Sequence, residues 1–235
     1  MGEWQSRTEK ILGAENLKKL SKSHVLIAGL GGVGSWAAES LARSGVGRLT
    51  LIDFDTVTES NINRQLPALI TTVGQLKVNV VSQRLAIINS NLELETMPVR
   101  INEENTAAIV GIKPDYIIDA IDSVMAKVAL IEECIKQQVN IISSMGAGNR
   151  LLPGGFVVSD VSKTHSCPLA RTVRLQLRKK GIDSGVKVVF NTQPAIKEFY
   201  TPETAPGSMV FAPAVCGLTL GAEVVNDLIH NIKSA

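Results

Sequence analysis

Gly29, Gly31 and Gly34 stand at Gly-x-Gly-x-x-Gly spacing, with Gly32 between them, after the apolar run Val25–Ala28 and before an apolar helical pattern from Trp36 to Leu41. Glycines so placed bring backbone N–H groups and a helix N-terminus against an anion, a phosphate above all. A ligand-free strand–turn–helix connection would not need four glycines in six residues. Asp53 closes the next apolar run, Leu49–Ile52. It follows the last glycine at about the 20-residue spacing of a carboxylate that binds a ribose. Up to this point NAD and ATP fit equally well.

The residues that follow are suited to a longer phosphate chain. Asp55, Asn61 and Gln65 supply polar groups beside the ribose carboxylate, and Arg64 offers a bidentate clamp for phosphate. Lys77 opens a helical pattern that runs to Ile88. A cation in a first turn opposes the helix dipole, so a nearby anion accounts for it better than a solvated surface does. Tyr116–Ile121 reads as a buried strand ending at Asp122. At the carboxyl end of a parallel strand that carboxylate is placed to hold Mg²⁺ on nucleotide phosphates.

The elements that must position these groups alternate. Strand patterns at Leu92–Val99 and Asn140–Ser143 are interleaved with helical ones at Glu103–Val110 and Ser123–Gln138. The alternation predicts a Rossmann-like, doubly wound α/β fold with a mainly parallel sheet, ligand at the strand carboxyl ends, and a C-terminal substrate-binding extension. Arg7–Leu20 reads as helical with a break at Gly13, ahead of the first strand.

With 235 residues the chain can bury a full core. A net charge of +2 does not by itself imply nucleic acid. Cys134, Cys167 and Cys216 form no Cys-x-x-Cys pair, which argues against a disulfide framework or a four-cysteine zinc site and for reduced cytoplasmic thiols. The polar stretch Met1–Arg7 does not read as a signal peptide.

Taken in order, the glycine motif, Asp53-Phe-Asp55-x-Val57, Ser60-Asn61-x-Asn63-Arg64-Gln65, Gly74-x-x-Lys77 and Asp119-x-x-Asp122 resemble the ThiF/MoeB/HesA family, relatives of the ubiquitin-activating enzymes. The resemblance covers about residues 7–150 and implies adenylation of a carboxylate by ATP. It implies a phosphate cradle at the glycines, a ribose ligand in Asp53, triphosphate contacts from Asn61, Arg64 and Lys77, and a magnesium ligand in Asp122. It also implies a homodimer in which Arg7 reaches the partner subunit's ATP. Residues 1–150 would then be the adenylation core, and 151–235 would bind substrate and complete the same domain.

The second half lacks the two Cys-x-x-Cys zinc pairs usual in members that activate carrier proteins. Ser143–Arg150, Lys163–Arg171 and Gly207–Val215 instead resemble the branch that uses ATP to cyclise the threonylcarbamoyl side chain of a tRNA adenosine. A basic helical pattern over Leu169–Lys180 suits such a substrate. Arg171, Arg174 and Arg178 share one face, with Lys179, Lys180 and Lys187 extending the charge toward a phosphate backbone. The same stripe would also serve as an ordinary solvated helix face.

Ser208–Val225 approaches bilayer-spanning length, but Pro213, Gly217, Gly221 and Glu223 favour a buried segment leading into a core helix. Asn191–Gly207 reads as an exposed mobile loop. Two alternatives stay open: an adenylyltransferase for a ubiquitin-like sulfur-carrier protein, and an NAD-binding protein, against which Arg64, Lys77 and Asp122 count. A monovalent cation beside ATP, and a cysteine desulfurase with its sulfur acceptor as partner, also stay open.

Overall fold

In the computed structural model, which describes residues 3–196 and 206–230, the apolar runs become the strands of one seven-stranded sheet. Before the sheet come α1 (Ser6–Leu12) and α2 (Ala14–Leu20), separated at Gly13. The first winding is β1 (His24–Ala28), α3 (Gly34–Ser44), β2 (Arg48–Ile52), α4 (Lys77–Ile88) and β3 (Glu93–Met97). The second is α5 (Thr106–Val110), β4 (Tyr116–Asp119), α6 (Val124–Gln137) and β5 (Ile141–Ser144). The chain ends with β6 (Phe156–Asp160), α7 (Pro168–Lys179), β7 (Lys187–Asn191) and α8 (Phe211–His230).

The strand order is β3-β2-β1-β4-β5-β7-β6, and every pairing is parallel except β6 with β7. Winding reverses between β1 and β4, where a doubly wound sheet opens a crevice at its carboxyl ends. The parallel strands are buried on both faces, as near-continuous Val, Ile and Leu runs require. Val25, Ile27, Leu49 and Leu51 pack under α3, α4 and α8, whereas Leu26, Ala28, Ile117 and Val188 pack against α5, α6 and α7.

Three boundaries differ from the sequence expectation. β4 ends at Asp119, so Asp122 stands in the loop after it and not at the strand tip. Asp119 turns away from solvent instead, to meet a lysine described below. α5 begins at Thr106, because the side chains of Asn102 and Asn105 occupy backbone N–H groups just before it and make a turn. The 208–225 segment enters α8 only at Phe211, with Pro213 in the first turn, where its missing N–H is harmless. Of the stretch expected to be a mobile loop, residues 197–205 lie outside the described residues, and Asn191 belongs to β7.

α8 is the one helix among the described residues long and apolar enough to cross a membrane. It packs as a core helix. A Cβ on Gly217 would stand 2.3 Å from the Val33 carbonyl oxygen, and one on Gly221 would stand 2.0 Å from Ser40 Oγ, so the helix lies directly on α3. Its acidic residues hold β7. Lys187 Nζ lies 2.7 Å from Glu223 Oε1 and 2.7 Å from Asp227 Oδ2, and the Tyr116 hydroxyl donates to the same Asp227 oxygen at 2.7 Å. Burial, joined by the bond to Asp227, drives the Tyr116 pKa far above its usual range. Lys187 is therefore neutralised inside the fold and does not extend the basic stripe of α7.

A second buried ion pair lies at the carboxyl end of β4. Asp119 and Lys127 are both fully buried, with Lys127 Nζ 2.8 Å from Asp119 Oδ2. Ser143 Oγ donates to that oxygen at 2.6 Å, and Asp119 Oδ1 accepts the Ile121 N–H at 3.1 Å. The pair joins β4, β5 and α6. Removing one partner of such a pair leaves a charge without solvation. Asp119→Ala is expected to destabilise the fold by about 3–5 kcal/mol in urea titration, and Asp119→Leu combined with Lys127→Met to recover most of it. A single variant as stable as wild type would refute this account.

Candidate functional site

The site is built where β1, β2 and β4 end. Gly29 leaves β1 with φ +90°, and its N–H donates to the Ile52 carbonyl at 2.7 Å. The chain then enters α3 so closely that a Cβ on Gly34 would lie 1.8 Å from the Gly29 oxygen. Gly31 differs. A Cβ there would meet no atom closer than Gln65 Nε2 at 3.8 Å, so the protein itself leaves that space free. The loop is a cradle with an open mouth, set at the N-terminus of an 11-residue helix.

Asp53 ties this cradle to β2. Its Oδ2 accepts the Leu30 N–H at 2.6 Å and its Oδ1 the Asp55 N–H at 2.8 Å. Burial pushes its carboxyl pKa above the ordinary value, against these two bonds, which pull it down. Each oxygen keeps a lone pair for a further donor.

Asp55 works on Lys77. Its carbonyl accepts the Lys77 N–H at 3.0 Å, and its Oδ2 lies 2.9 Å from Lys77 Nζ. Lys77 is 5% exposed, so its ammonium is held at the first turn of α4 by this carboxylate. The anion inferred from the dipole argument is thus, within the chain, Asp55.

The loop between β2 and α4 delivers the remaining polar groups. Arg64 Nη1 donates to the Ser60 carbonyl and to Asn63 Oδ1, both at 2.8 Å, and its Cγ would stand 3.5 Å from a Cβ on Gly32. Arg64 therefore lies over the glycine loop. Asn61 is buried and turns the loop, its Oδ1 accepting the Thr58 N–H at 3.2 Å. Gln65 is buried beside Gly31, and its Oε1 has no partner among the described residues, a polar atom waiting for a donor.

Asp122 is exposed in the loop after β4 and makes no hydrogen bond or ion pair among the described residues. The structure thus brings Gly29–Gly34, Asp53, Asp55, Asn61, Arg64, Gln65 and Lys77 together around the carboxyl ends of β1 and β2, with Asp122 after the neighbouring β4. Arg7 is not brought to them. It is exposed in the first turn of α1 and has no partner among the described residues.

The α7 stripe is only partly a free surface. Arg171 and Arg178 are exposed, Arg178 facing Asp183 at 3.7 Å. Arg174 instead donates to the Thr164 carbonyl at 2.8 Å and to its hydroxyl, bracing the turn before the helix. Lys180 pairs with Glu132 at 2.6 Å. Arg171 and Arg174 line a groove of about 670 Å³ with His165, Cys167 and Pro194. All three cysteines are free and buried. Burial raises the Cys134 thiol strongly and pushes Cys216 up to about 12.

Sequence reasoning did not find the Lys127 ammonium behind the Asp122 loop, nor Arg100, whose guanidinium lies 4.1 Å from the centroid of the Phe54 ring. Phe54 had a signal, its place directly after Asp53. Arg100 had none.

The ThiF family model matches residues 5–234. The tRNA threonylcarbamoyladenosine dehydratase of Bacillus subtilis is 43% identical over 242 residues, spanning 97% of this chain and 95% of its own. A crystal structure of the Escherichia coli tRNA N6-threonylcarbamoyladenosine dehydratase, TcdA, in complex with ATP superposes with a TM-score of 0.91 at 32% identity, covering 98% of this chain and 97% of that one. A molybdopterin-synthase adenylyltransferase from Haemophilus influenzae is 37% identical over 142 residues, 60% of this chain and 57% of its own.

The two glycine environments predict opposite responses. Gly34→Ala drives a methyl into the Gly29 carbonyl and is expected to cost about 1–3 kcal/mol or more in denaturant titration. Gly31→Ala is expected to stay within about 0.5 kcal/mol of wild type in stability. A destabilised Gly31→Ala would mean that the space at the cradle mouth is not free.

Proposed function

The chain belongs to the ThiF family, and we propose that within it the protein is an ATP-dependent tRNA threonylcarbamoyladenosine dehydratase. The observation that carries this reading is the end-to-end match to a dehydratase, in sequence and in fold, where the match to a carrier-protein adenylyltransferase is partial.

The chemistry has two steps. An oxygen of the threonylcarbamoyl carboxylate attacks the α-phosphorus of ATP, the bond to the β-phosphate breaks, and pyrophosphate leaves. A nucleophile of the same side chain then attacks the acyl carbon and expels AMP, closing the ring. The net change is loss of one water from the tRNA side chain. An internal nucleophile has a high effective concentration, so the enzyme needs none of its own. The buried, protonated thiols of Cys134 and Cys216 agree with that.

The chain's residues fit these steps. Asp53 binds the ribose with its remaining lone pairs. The glycine cradle, Arg64 and Lys77 offset the charge that grows on the phosphates. Lys77 would exchange Asp55 for, or share it with, a phosphate oxygen. Gln65 Oε1 and Asn61 complete the polar wall. Asp122 suits a divalent cation, since Mg²⁺ favours one or two carboxylates plus phosphate oxygens, and this carboxylate is exposed and without a protein partner among the described residues. When bound, Mg²⁺ would neutralise phosphate charge. Arg171 presents free charge to the tRNA backbone, Arg178 adds to it from beside Asp183, and Arg174 shapes the groove between them. We place the reaction in the cytoplasm, in keeping with three unpaired cysteines.

We further propose a homodimer in which Arg7 serves the partner's site. Arg7, exposed ahead of the first strand and without a partner among the described residues, supports this, and two-fold dimers are the commonest oligomer.

Two measurements test the reading. Pyrophosphate release is expected with ATP and tRNA bearing threonylcarbamoyladenosine, and not with a ubiquitin-like carrier protein or with neither. Release that depends on the carrier would transfer the protein to the adenylyltransferases. For the dimer, Arg7→Ala and Lys77→Ala should each be nearly inactive, and mixing them should restore about a quarter of wild-type turnover on random exchange of two-fold dimers. No recovery despite proven exchange would place Arg7 outside the partner's chemistry.

A further inference from the structure

We infer that Arg150 is the receptor for the carboxylate of the substrate's threonylcarbamoyl side chain. The inference rests on the dehydratase reading and adds to it the group by which the enzyme tells a modified tRNA from an unmodified one.

Arg150 is a buried cation without a counter-ion. It is 7% exposed, and its bonds among the described residues all come from Nη1, to Asn191 Oδ1 at 3.2 Å and to the Gln193 carbonyl. Both acceptors are neutral. Nε is buried without an acceptor among the described residues. Burial holds the Arg150 pKa below its ordinary value. Protein interiors rarely keep a charge out of water unless an opposite charge meets it. The edge formed by Nε and Nη2 carries two parallel N–H groups, the fork that fits the two oxygens of one carboxylate. Nη1, at the opposite corner, is the part that the protein fixes.

A purely structural role does not account for this arginine. The Gln193 N–H already donates to Asn191 Oδ1 at 2.9 Å, and Asn191 Nδ2 donates to the Gly154 carbonyl at 2.9 Å. The turn after β7 is therefore closed by its own bonds.

The place suits the substrate. Asn191 ends β7, so the guanidinium bonded to it lies at the carboxyl edge of the sheet, on the β5–β7 side of β4. One segment links it to the phosphate clamp. The Gly207 carbonyl accepts the Asn149 N–H at 2.7 Å, and the carbonyl of the next residue, Ser208, accepts Asn63 Nδ2 at 2.8 Å. Asn63 Oδ1 in turn holds Arg64 Nη1 at 2.8 Å. The loops of Arg150 and Arg64 are thus neighbours across two residues of chain, where a carboxylate bound for the α-phosphorus has to arrive. The chain around the Arg150 head group, residues 151–155 and 192–196, is loop, so a small oxyanion reaches it without displacing a helix or a strand. A carboxylate at the tip of a side chain fits so buried a cation better than a phosphodiester, which is flanked by two sugars.

Binding of tRNA with and without threonylcarbamoyladenosine, measured without ATP on wild type, Arg150→Met and Arg150→Lys, tests this. Wild type should bind the modified tRNA roughly tenfold or more tightly, the size of a charge-assisted contact. Arg150→Met should lose that preference and keep its affinity for unmodified tRNA and for ATP, and Arg150→Lys should keep part of the preference. Without substrate, Arg150→Met should melt close to wild type, since the charge removed was unpaired. A readout on wild type alone needs no variant to fold: the nucleoside threonylcarbamoyladenosine should displace modified tRNA, and its carboxamide should do so roughly tenfold less well. A wild type without either preference, or an Arg150→Met protein that keeps the preference for modified tRNA, would overturn the receptor. So would a large fall in melting temperature, which would make Arg150 a scaffold residue. Equal weakening of modified and unmodified tRNA would assign the arginine to a backbone phosphate and overturn it as well. Wild-type protein that binds ATP but neither tRNA would instead overturn the dehydratase reading on which the receptor stands.

Discussion

The site depends on one buried carboxylate. Asp53 closes the turn of the glycine loop through Leu30 N and the start of the following segment through Asp55 N, at 2.6 and 2.8 Å. A carboxylate in a low-dielectric place is costly unless it is hydrogen-bonded, and backbone N–H groups supply that here. The consequence is geometric. β1, the cradle and the loop toward α4 are held in one frame before any ligand arrives. The residue proposed to bind the ribose also builds the surface on which the phosphates would rest, so a ligand there would meet donors that need little reorganisation.

The same solution recurs at three lysines. Lys77 is paired with Asp55, Lys127 with Asp119, and Lys187 with Glu223 and Asp227. Each joins two different elements, from eight residues apart for Asp119 and Lys127 to forty for Lys187 and Asp227. The first two hold α4 and α6 at the carboxyl ends of the strands, and the third ties α8 to the amino end of β7. Buried ion pairs are weak contributors to net stability, but a lysine whose partner is withdrawn is strongly unfavourable. Alternative packings of these helices would strand a charge. The fold is specified there by what it excludes. Only Lys77, with its partner partly exposed, lies where a phosphate oxygen could compete for it.

How much of this was legible in the sequence follows from the range of each interaction. The glycine turn, the strand runs and the break at Gly13 are local, and the structure has them within a few residues of the reading. The parallel sheet and its switch point follow from the alternation of strand and helix. Helical spacing alone assigns Lys187 to the basic stripe, because its acidic partners lie 36 and 40 residues away. Spacing makes Arg174 look like a free phosphate ligand because it shows which side chains share a helix face, not which of them is spent on a neighbouring turn. β4 was read too long for a similar reason. Ile121 continues the apolar run, but Asp119 already bends the chain by accepting the Ile121 N–H.

The arrangement also explains how an adenylating site can lack a nucleophile of its own. Forming an acyl-adenylate needs charge stabilisation on the phosphates, the role proposed for the cradle, Arg64 and Lys77. Resolving it needs a nucleophile close to the acyl carbon. In this chain the thiols of Cys134 and Cys216 are buried among apolar side chains of the two core layers, where the thiolate is strongly disfavoured. Cys167 is likewise buried, its sulfur accepting the Gly146 and Ala170 N–H groups at the start of α7. None of the three is presented to solvent at the carboxyl-end crevice. A substrate that carries both the carboxylate and the attacking group removes the need for one. The demand on the fold is then to orient that substrate, which a crevice held by internal hydrogen bonds and ion pairs would serve.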